Sequence, residues 1–221
     1  MVTSWEILKA LCTGQGIGRV LMDLEISRTV ELKGRVLDIG GRGKHSYYSG
    51  LETLPAQSIW VLDICVDGTV DINGSITDLP IASNSCDVVL CFNVLEHVFD
   101  YESAMRETQR ILKPDAVLYG RVPFLMSVHR DPSDYWRYTR QALEATLKAA
   151  DFKEITIRAN GGLFLVVLNL LGPVWRRIGW IRFVLAPLFL AMDVLFDRMV
   201  GDNINRERYP LGYFFSAKTG D

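Results

Sequence analysis

The stretch Arg35-Val36-Leu37-Asp38-Ile39-Gly40-Gly41-Arg42-Gly43 decides how the chain folds. A short apolar run, broken only by Asp38, passes straight into a glycine-rich turn. Such a run, stopped by glycine, predicts a strand buried on both faces, as in a parallel sheet. Similar runs follow at Ile59–Leu62, ending at Asp63, then at Thr69–Ile72, Asp87–Phe92, Val117–Val122, Glu154–Ile157 and Leu211–Ala217. Helical patterns alternate with them. Asp100 is placed to cap a helix that runs to Lys113, with Ala104, Thr108, Ile111 and Leu112 on one face and Pro114 as its terminator. Thr139 caps another, with Leu143, Leu147 and Ala150 on its apolar face. This alternation predicts an α/β fold, a mostly parallel, doubly wound sheet with helices on both sides. Upstream, residues 4–12 and 17–31 read as two helices joined by Gly14-Gln15-Gly16-Ile17-Gly18. No strand precedes that loop, so it is a break between helices and not a nucleotide fingerprint.

Composition narrows the function. Of 221 residues, 49% are hydrophobic, and 24 Lys+Arg oppose 26 Asp+Glu for a net charge of −2. Disorder is excluded by the apolar content. A near-neutral chain lacks the basic footprint of a nucleic-acid binder, so no nucleic-acid partner is expected. Cys12, Cys65, Cys86 and Cys91 form no C-x-x-C pair and read as reduced thiols of a cytoplasmic protein.

Residues 163–200 stand apart, because 27 of these 38 are apolar. Their uncharged run Leu163–Trp175 is too short to span a bilayer, which takes about 20 residues. Gly172-Pro173 breaks it, and Arg176, Arg177 and Arg182 follow. Two readings remain: a helical pair packed as a cap, or a peripheral membrane contact with Trp175, Trp180 and Phe183 at headgroup depth.

In an open parallel sheet, ligands bind beyond the carboxyl ends of the strands, where strand order reverses. Glycines at 40, 41 and 43 let the backbone approach a ligand closely. Asp63, at the end of the next strand, is positioned to accept hydrogen bonds from both hydroxyls of a ribose. A glycine turn followed by an acid after the adjoining strand is a nucleoside signal. The absence of a following Lys-Ser/Thr pair excludes a P-loop.

Val36-Leu37-Asp38-Ile39-Gly40, Asp63, Thr77-Asp78-Leu79-Pro80-Ile81, Cys86-Asp87-Val88-Val89, Asn93-Val94-Leu95-Glu96-His97-Val98 and Arg110-Ile111-Leu112-Lys113-Pro114 occur in that order. Together they resemble the class I S-adenosylmethionine-dependent methyltransferases over residues 34–160. The resemblance implies a Rossmann-like, seven-stranded sheet whose last strand is antiparallel. It divides the chain into an N-terminal helical segment (1–33), a core (34–160), a hydrophobic helical insertion (161–208) and a final core strand (209–221). It implies S-adenosylmethionine as cofactor: Asp38 orients the loop of Gly40, Gly41 and Gly43 under the methionine part, Ser75 and Ile76 flank the adenine, and Phe92 and Asn93 floor the sulfonium. The segment Val122 to Thr139 also looks like a subgroup acting on glycan or lipid-linked sugars.

Three departures stand out. Arg42 and Lys44 occupy the second and third glycine positions of the usual D-x-G-x-G-x-G loop, Ser75 replaces an Asp, and Asp115-Ala116 replaces Gly-Gly. Losing a charged hydrogen bond to adenine costs on the order of 1.5–3 kcal/mol.

Methyl transfer from a sulfonium needs alignment and dryness, with a base only for a neutral hydroxyl or protonated amine. His97 and His129 are the candidate bases for a small-molecule or lipid- or glycan-linked acceptor, methylated at oxygen. The bland alternative for His97 is a local helix-start residue. Asp134, Arg137 and Tyr138 are the candidate acceptor contacts, with Arg137 able to grip an anion bidentately or simply to pair with Asp134. Glu96 with one neighbouring histidine is too small a set to define a metal site, and none is assigned. A non-catalytic relative acting as a binding or scaffold protein is the alternative to an enzyme. A nicotinamide-dependent dehydrogenase is disfavoured, because the loop does not match G-x-G-x-x-G.

Overall fold

The computed structural model describes residues 16–41, 56–65, 70–178 and 180–220. The expected helix 4–12, Arg42, Gly43 and Lys44 lie outside the described residues, as do Thr69 and the side chains of Trp175, Arg176 and Arg182. The chain forms two compact units: one of residues 1–28, 123–128 and 159–213, the other of residues 29–122, 129–158 and 214–221.

The second unit is built on the sheet. Its strands are β1 (Gly34–Ile39), β2 (Ala56–Asp63), β3 (Ile72–Asn73), β4 (Cys86–Phe92), β5 (Leu112–Pro123), β6 (Lys153–Gly161) and β7 (Pro210–Lys218), in the order β3-β2-β1-β4-β5-β7-β6. β1 runs parallel to β2 on one side and β4 on the other, with Ile39 opposite both Leu62 and Cys91. β4 and β5 are also parallel. β7 runs the other way: Thr219 N bonds Ala116 O beyond one end, and Phe124 N bonds Leu211 O at the other. The sheet is therefore the expected seven-stranded, mostly parallel one with an antiparallel last strand. Val88, Val89, Leu90 and Cys91 are fully buried, as a central parallel strand requires.

Three helices carry the sequence signals most plainly. α1 spans Ile17–Thr29, α2 Tyr101–Ile111 and α3 Arg140–Ala149. The Asp100 carboxylate accepts from Ser103 N at 3.0 Å, and the Thr139 hydroxyl from Ala142 N at 3.2 Å. α2 ends two residues before the expected Lys113. Leu112 is drawn into pairing with Cys86, and Lys113 precedes proline, where helical backbone is disfavoured. The turn expected to use Gly-Gly is made by Asp115 at φ +57°, a conformation aspartate tolerates. β3 is shorter than the expected Thr69–Ile72 and starts later. The Asp71 carboxylate takes Val61 N at 3.0 Å, in place of a strand carbonyl.

The first unit is helical. α4 (Leu163–Leu170), α5 (Gly172–Arg177), α6 (Arg182–Val200) and α7 (Asp202–Arg208) follow β6. Ile17, Val20 and Leu21 of α1 pack with Leu165, Val166 and Leu168 of α4, Ala186 and Leu190 of α6, and Leu211. α4 has no capping residue of its own. Its first amides are met instead by Asn205 (Leu163 N to Oδ1, 2.9 Å) and by buried Asp193 (Phe164 N to Oδ1, 3.0 Å), an acid where the helix dipole favours one. No helix among the described residues is long and apolar enough to cross a membrane.

Buried Thr219 fastens the end of β7 across the start of β5. Its hydroxyl donates to Lys113 O at 2.6 Å and accepts from Ala116 N at 3.1 Å. Thr219→Val keeps the shape and strands a buried amide, which costs about 1–3 kcal/mol. The unfolding free energy from urea titration should fall by that amount without loss of the folded baseline.

Candidate functional site

The strand order reverses between β1 and β4, the point at which ligands bind beyond the carboxyl ends in sheets of this kind. Asp38 is buried near the end of β1. Gly40 follows at φ +75°, with its amide donating to Leu62 O at 2.8 Å. A Cβ on Gly40 would lie 2.5 Å from Val94 Cγ2, and one on Gly41 would lie 1.8 Å from Asp38 Oδ2. Both positions therefore require glycine, and the turn presents bare backbone there.

Asp63 ends β2 beside it. One carboxylate oxygen, Oδ1, accepts from Cys65 N at 2.8 Å, which fixes the side chain in place. Asn73 donates to Asp63 O and Ile64 O, holding the strand end. Beyond β3, Ser75 and Thr77 pair through their hydroxyls at 2.8 Å, and Ile76 is buried. The segment after them is strapped down by Arg110. Its guanidinium donates to Leu79 O (3.0 Å) and Ile81 O (2.8 Å) and grips Glu107, whose carboxyl it holds below the usual range. The Arg-x-Leu-Lys-Pro motif thus helps hold the segment Leu79–Ile81 in place.

Past β4, buried Phe92 stacks on Phe214, with ring centroids 6.1 Å apart. Asn93 takes φ +55°, and its side chain accepts from buried Arg121. A single 3-10 turn, Leu95–His97, comes next. The loop 129–138 is laced onto this turn. Tyr135 N and Trp136 N both donate to Glu96 O, at 2.7 and 3.2 Å. His97 Nδ1 bonds Ser133 O, and buried Tyr138 donates from its hydroxyl to Leu95 O at 3.3 Å. Trp136 Nε1 donates to Val98 O at 3.1 Å.

That lacing brings His97 and His129 together, edge to face, with ring centroids 5.1 Å apart. Asp134 and Arg137 form a bidentate pair, and Asp134 Oδ2 also accepts from His129 N at 2.8 Å. The guanidinium first, then the His129 amide, lowers the Asp134 carboxyl to about 2. Asp134, Arg137 and Tyr138 therefore serve visibly to shape this loop. Burial pushes the Cys91 thiol well above its usual range and that of Cys86 upward too, which removes both as nucleophiles at neutral pH.

Two contributions escape a reading of the sequence alone. For Glu96, weighed in the sequence with one histidine only, the fold adds complete burial and a second histidine, His129. Ser133 acts through its carbonyl oxygen, which leaves no side-chain signal at all.

Residues 52–120 match a family model described as a methyltransferase domain. The matched stretch is similar to a methyltransferase domain. Solved structures agree with the domain's fold. A phosphoethanolamine N-methyltransferase 2 from Haemonchus contortus, crystallised with S-adenosylmethionine, is 16% identical with a TM-score of 0.56 over 99% of this chain and 58% of that one. An S-adenosylmethionine-dependent methyltransferase from Thermotoga maritima is 14% identical, with a TM-score of 0.58 over 95% of this chain and 92% of that one. The [4+2]-cyclase SpnF is 17% identical, with a TM-score of 0.55 over 96% and 91%. No curated protein matches the chain. The carboxyl ends of β1 and β2 fit the cofactor that the family uses: two positions that admit no side chain, then an ordered acid one strand over.

The Asp134–Arg137 pair makes a pH prediction. A carboxyl lowered to about 2 from 3.8 stabilises the fold fully above the unfolded value, and that stability is lost as pH falls through the folded one. Asp134→Asn should cost about 2 kcal/mol at pH 7. The gap between variant and parent unfolding free energies should close between pH 4 and about 2.

Proposed function

We propose that the protein moves a methyl group from S-adenosylmethionine to an oxygen of a small-molecule or lipid- or glycan-linked acceptor. One observation carries the reading. The Gly40-Gly41 turn and the Asp63 carboxylate lie on adjacent parallel strands, with Ile39 registered on Leu62, at the point where strand order reverses.

The cofactor supplies an electrophilic methyl on a good leaving group. The chain's own residues then bind, orient and exclude water. In this reading Asp63 holds the ribose, Asp38 and the glycine turn seat the methionine part, and Ser75 and Ile76 border the adenine. Phe92 and Asn93 form the floor, and Gly43 completes the loop. His97 and His129 face the acceptor. The Ser133 carbonyl can only accept, so His97 Nδ1 carries a proton, and in the neutral ring Nε2 is the atom that takes one from a hydroxyl. Arg137, Asp134 and Tyr138 hold the acceptor loop in shape.

The lipid-linked part rests on α6. Val184, Leu188, Leu195 and Met199 are exposed at helical spacing along one side of it, with Phe183 at its start and Trp180 just before. Such a stripe suits the surface of a bilayer, placing a cytoplasmic enzyme peripherally at its acceptor. A cofactor-binding protein without transferase activity is the second reading, favoured by Arg42, Lys44 and Ser75 in place of the usual residues.

Calorimetric titration with S-adenosylhomocysteine tests the core of the proposal. One site is expected, and Asp63→Ala should weaken it about tenfold to a hundredfold, the worth of a charge-assisted hydrogen bond. Undetectable binding at millimolar ligand, or an unaffected variant, contradicts it. Binding without any S-adenosylhomocysteine release from S-adenosylmethionine in lipid and polar extracts selects the second reading. For the membrane contact, the full chain should float with anionic liposomes, and Leu188→Glu with Leu195→Glu should abolish flotation. A parent protein that stays at the bottom of the gradient removes that part.

A further inference from the structure

The oddest group in the molecule is Glu96. It has no solvent exposure, and among the described residues neither carboxylate oxygen accepts a hydrogen bond. A buried carboxylate left like this is costly by several kcal/mol unless a positive charge meets it. Two nitrogens face it: His97 Nε2 and His129 Nε2, each 3.7 Å from Glu96 Oε1. That spacing is too long for hydrogen bonds. It is the spacing of ligands around a shared ion, since donors each about 2.1 Å from a common centre lie roughly 3.4–4.2 Å apart at tetrahedral or wider angles. The three donor atoms all lie within 4.8 Å of one another, so small imidazole rotations suffice to close them on one centre.

The outer contacts favour the same reading. His97 Nδ1 is committed to Ser133 O, which leaves Nε2 as the ring nitrogen that faces the carboxylate. His129 turns its other nitrogen, Nδ1, toward Asp134 Oδ2 at 3.7 Å, and Asp134 is fixed by Arg137. That contact is also longer than a hydrogen bond, so Asp134 supports a metal-bound imidazole once the His129 ring turns toward it.

We propose that Glu96, His97 and His129 bind one divalent transition ion of the zinc or cobalt type. Two imidazoles and a single carboxylate suit such an ion and disfavour magnesium, which prefers oxygen ligands in octahedral array. Three protein ligands leave a position for water or for an acceptor oxygen. Site occupancy stands on geometry alone. Only the service to the acceptor rests on the methyltransferase reading: with the ion bound, His97 Nε2 is a ligand and no longer a base, and the ion lowers the pKa of a bound hydroxyl in its place.

The test uses tag-free, chelator-stripped full-length protein titrated with Co2+ alone. Expected are one equivalent bound at micromolar affinity, visible d–d absorption of a low-coordinate site, and displacement by Zn2+. His129→Ala should weaken Co2+ binding at least a hundredfold while far-UV circular dichroism is unchanged, and Glu96→Gln should do the same. Binding weaker than millimolar, or equal in parent and variants, overturns the site. Tight Mg2+ with no Co2+ binding overturns the choice of ion. S-adenosylhomocysteine titration of the stripped protein runs alongside, so a failed metal site and a failed cofactor site give separate signatures.

Discussion

The arrangement depends on β1 being hydrogen-bonded on both edges to parallel strands. Ile39 faces Leu62 of β2 and Cys91 of β4, so three carboxyl ends finish at one level. The strand order reverses between β1 and β4, and in such sheets ligands sit beyond the carboxyl ends of the strands at that point. Glycine at 40 and 41 then keeps that point clear, because a methyl at either place would collide with Val94 or Asp38. The hydrophobic burial of β4 makes the platform stiff enough to hold an acid at the end of β2 in a fixed place.

The acceptor side is organised differently. Its elements are a one-turn helix and an irregular loop, neither of which holds its shape by itself. Backbone bonds from Tyr135 and Trp136 to Glu96 O, with those of Trp136, Tyr138 and His97, join the two. This cross-lacing buries the Glu96 carboxylate and stacks two imidazoles over it. The fully buried Glu96 carboxylate and the two residues best suited to proton or metal chemistry thus coincide.

Much of this was legible in the sequence, for physical reasons that differ by residue. Asp100 and Thr139 cap helices because capping is local, and the structure honours both. The buried strands were legible because a strand covered on both sides is apolar throughout. Local reading failed where a partner decides. Leu112 belongs by pattern to α2, but its pairing with Cys86 puts it in β5. Ile72 opens a strand three residues after the expected start at Thr69, because the Asp71 side chain replaces a ladder carbonyl. Asp38 and Asp63 stood out because an acid at a strand end is informative. Glu96 did not, since nothing in Leu-Glu-His-Val says that residues some 40 positions on will cover it. Ser133 contributes only its main chain, for which no residue type is diagnostic.

The central claim is that a nucleoside sulfonium lies across the tips of β1 and β2, held by its sugar. A crystal structure with S-adenosylhomocysteine measures this directly. The account requires both ribose hydroxyls on the Asp63 carboxylate and the methionine portion over Gly40-Gly41. A ligand elsewhere on the molecule, or a cleft filled by the chain's own Arg42 or Lys44, would contradict it.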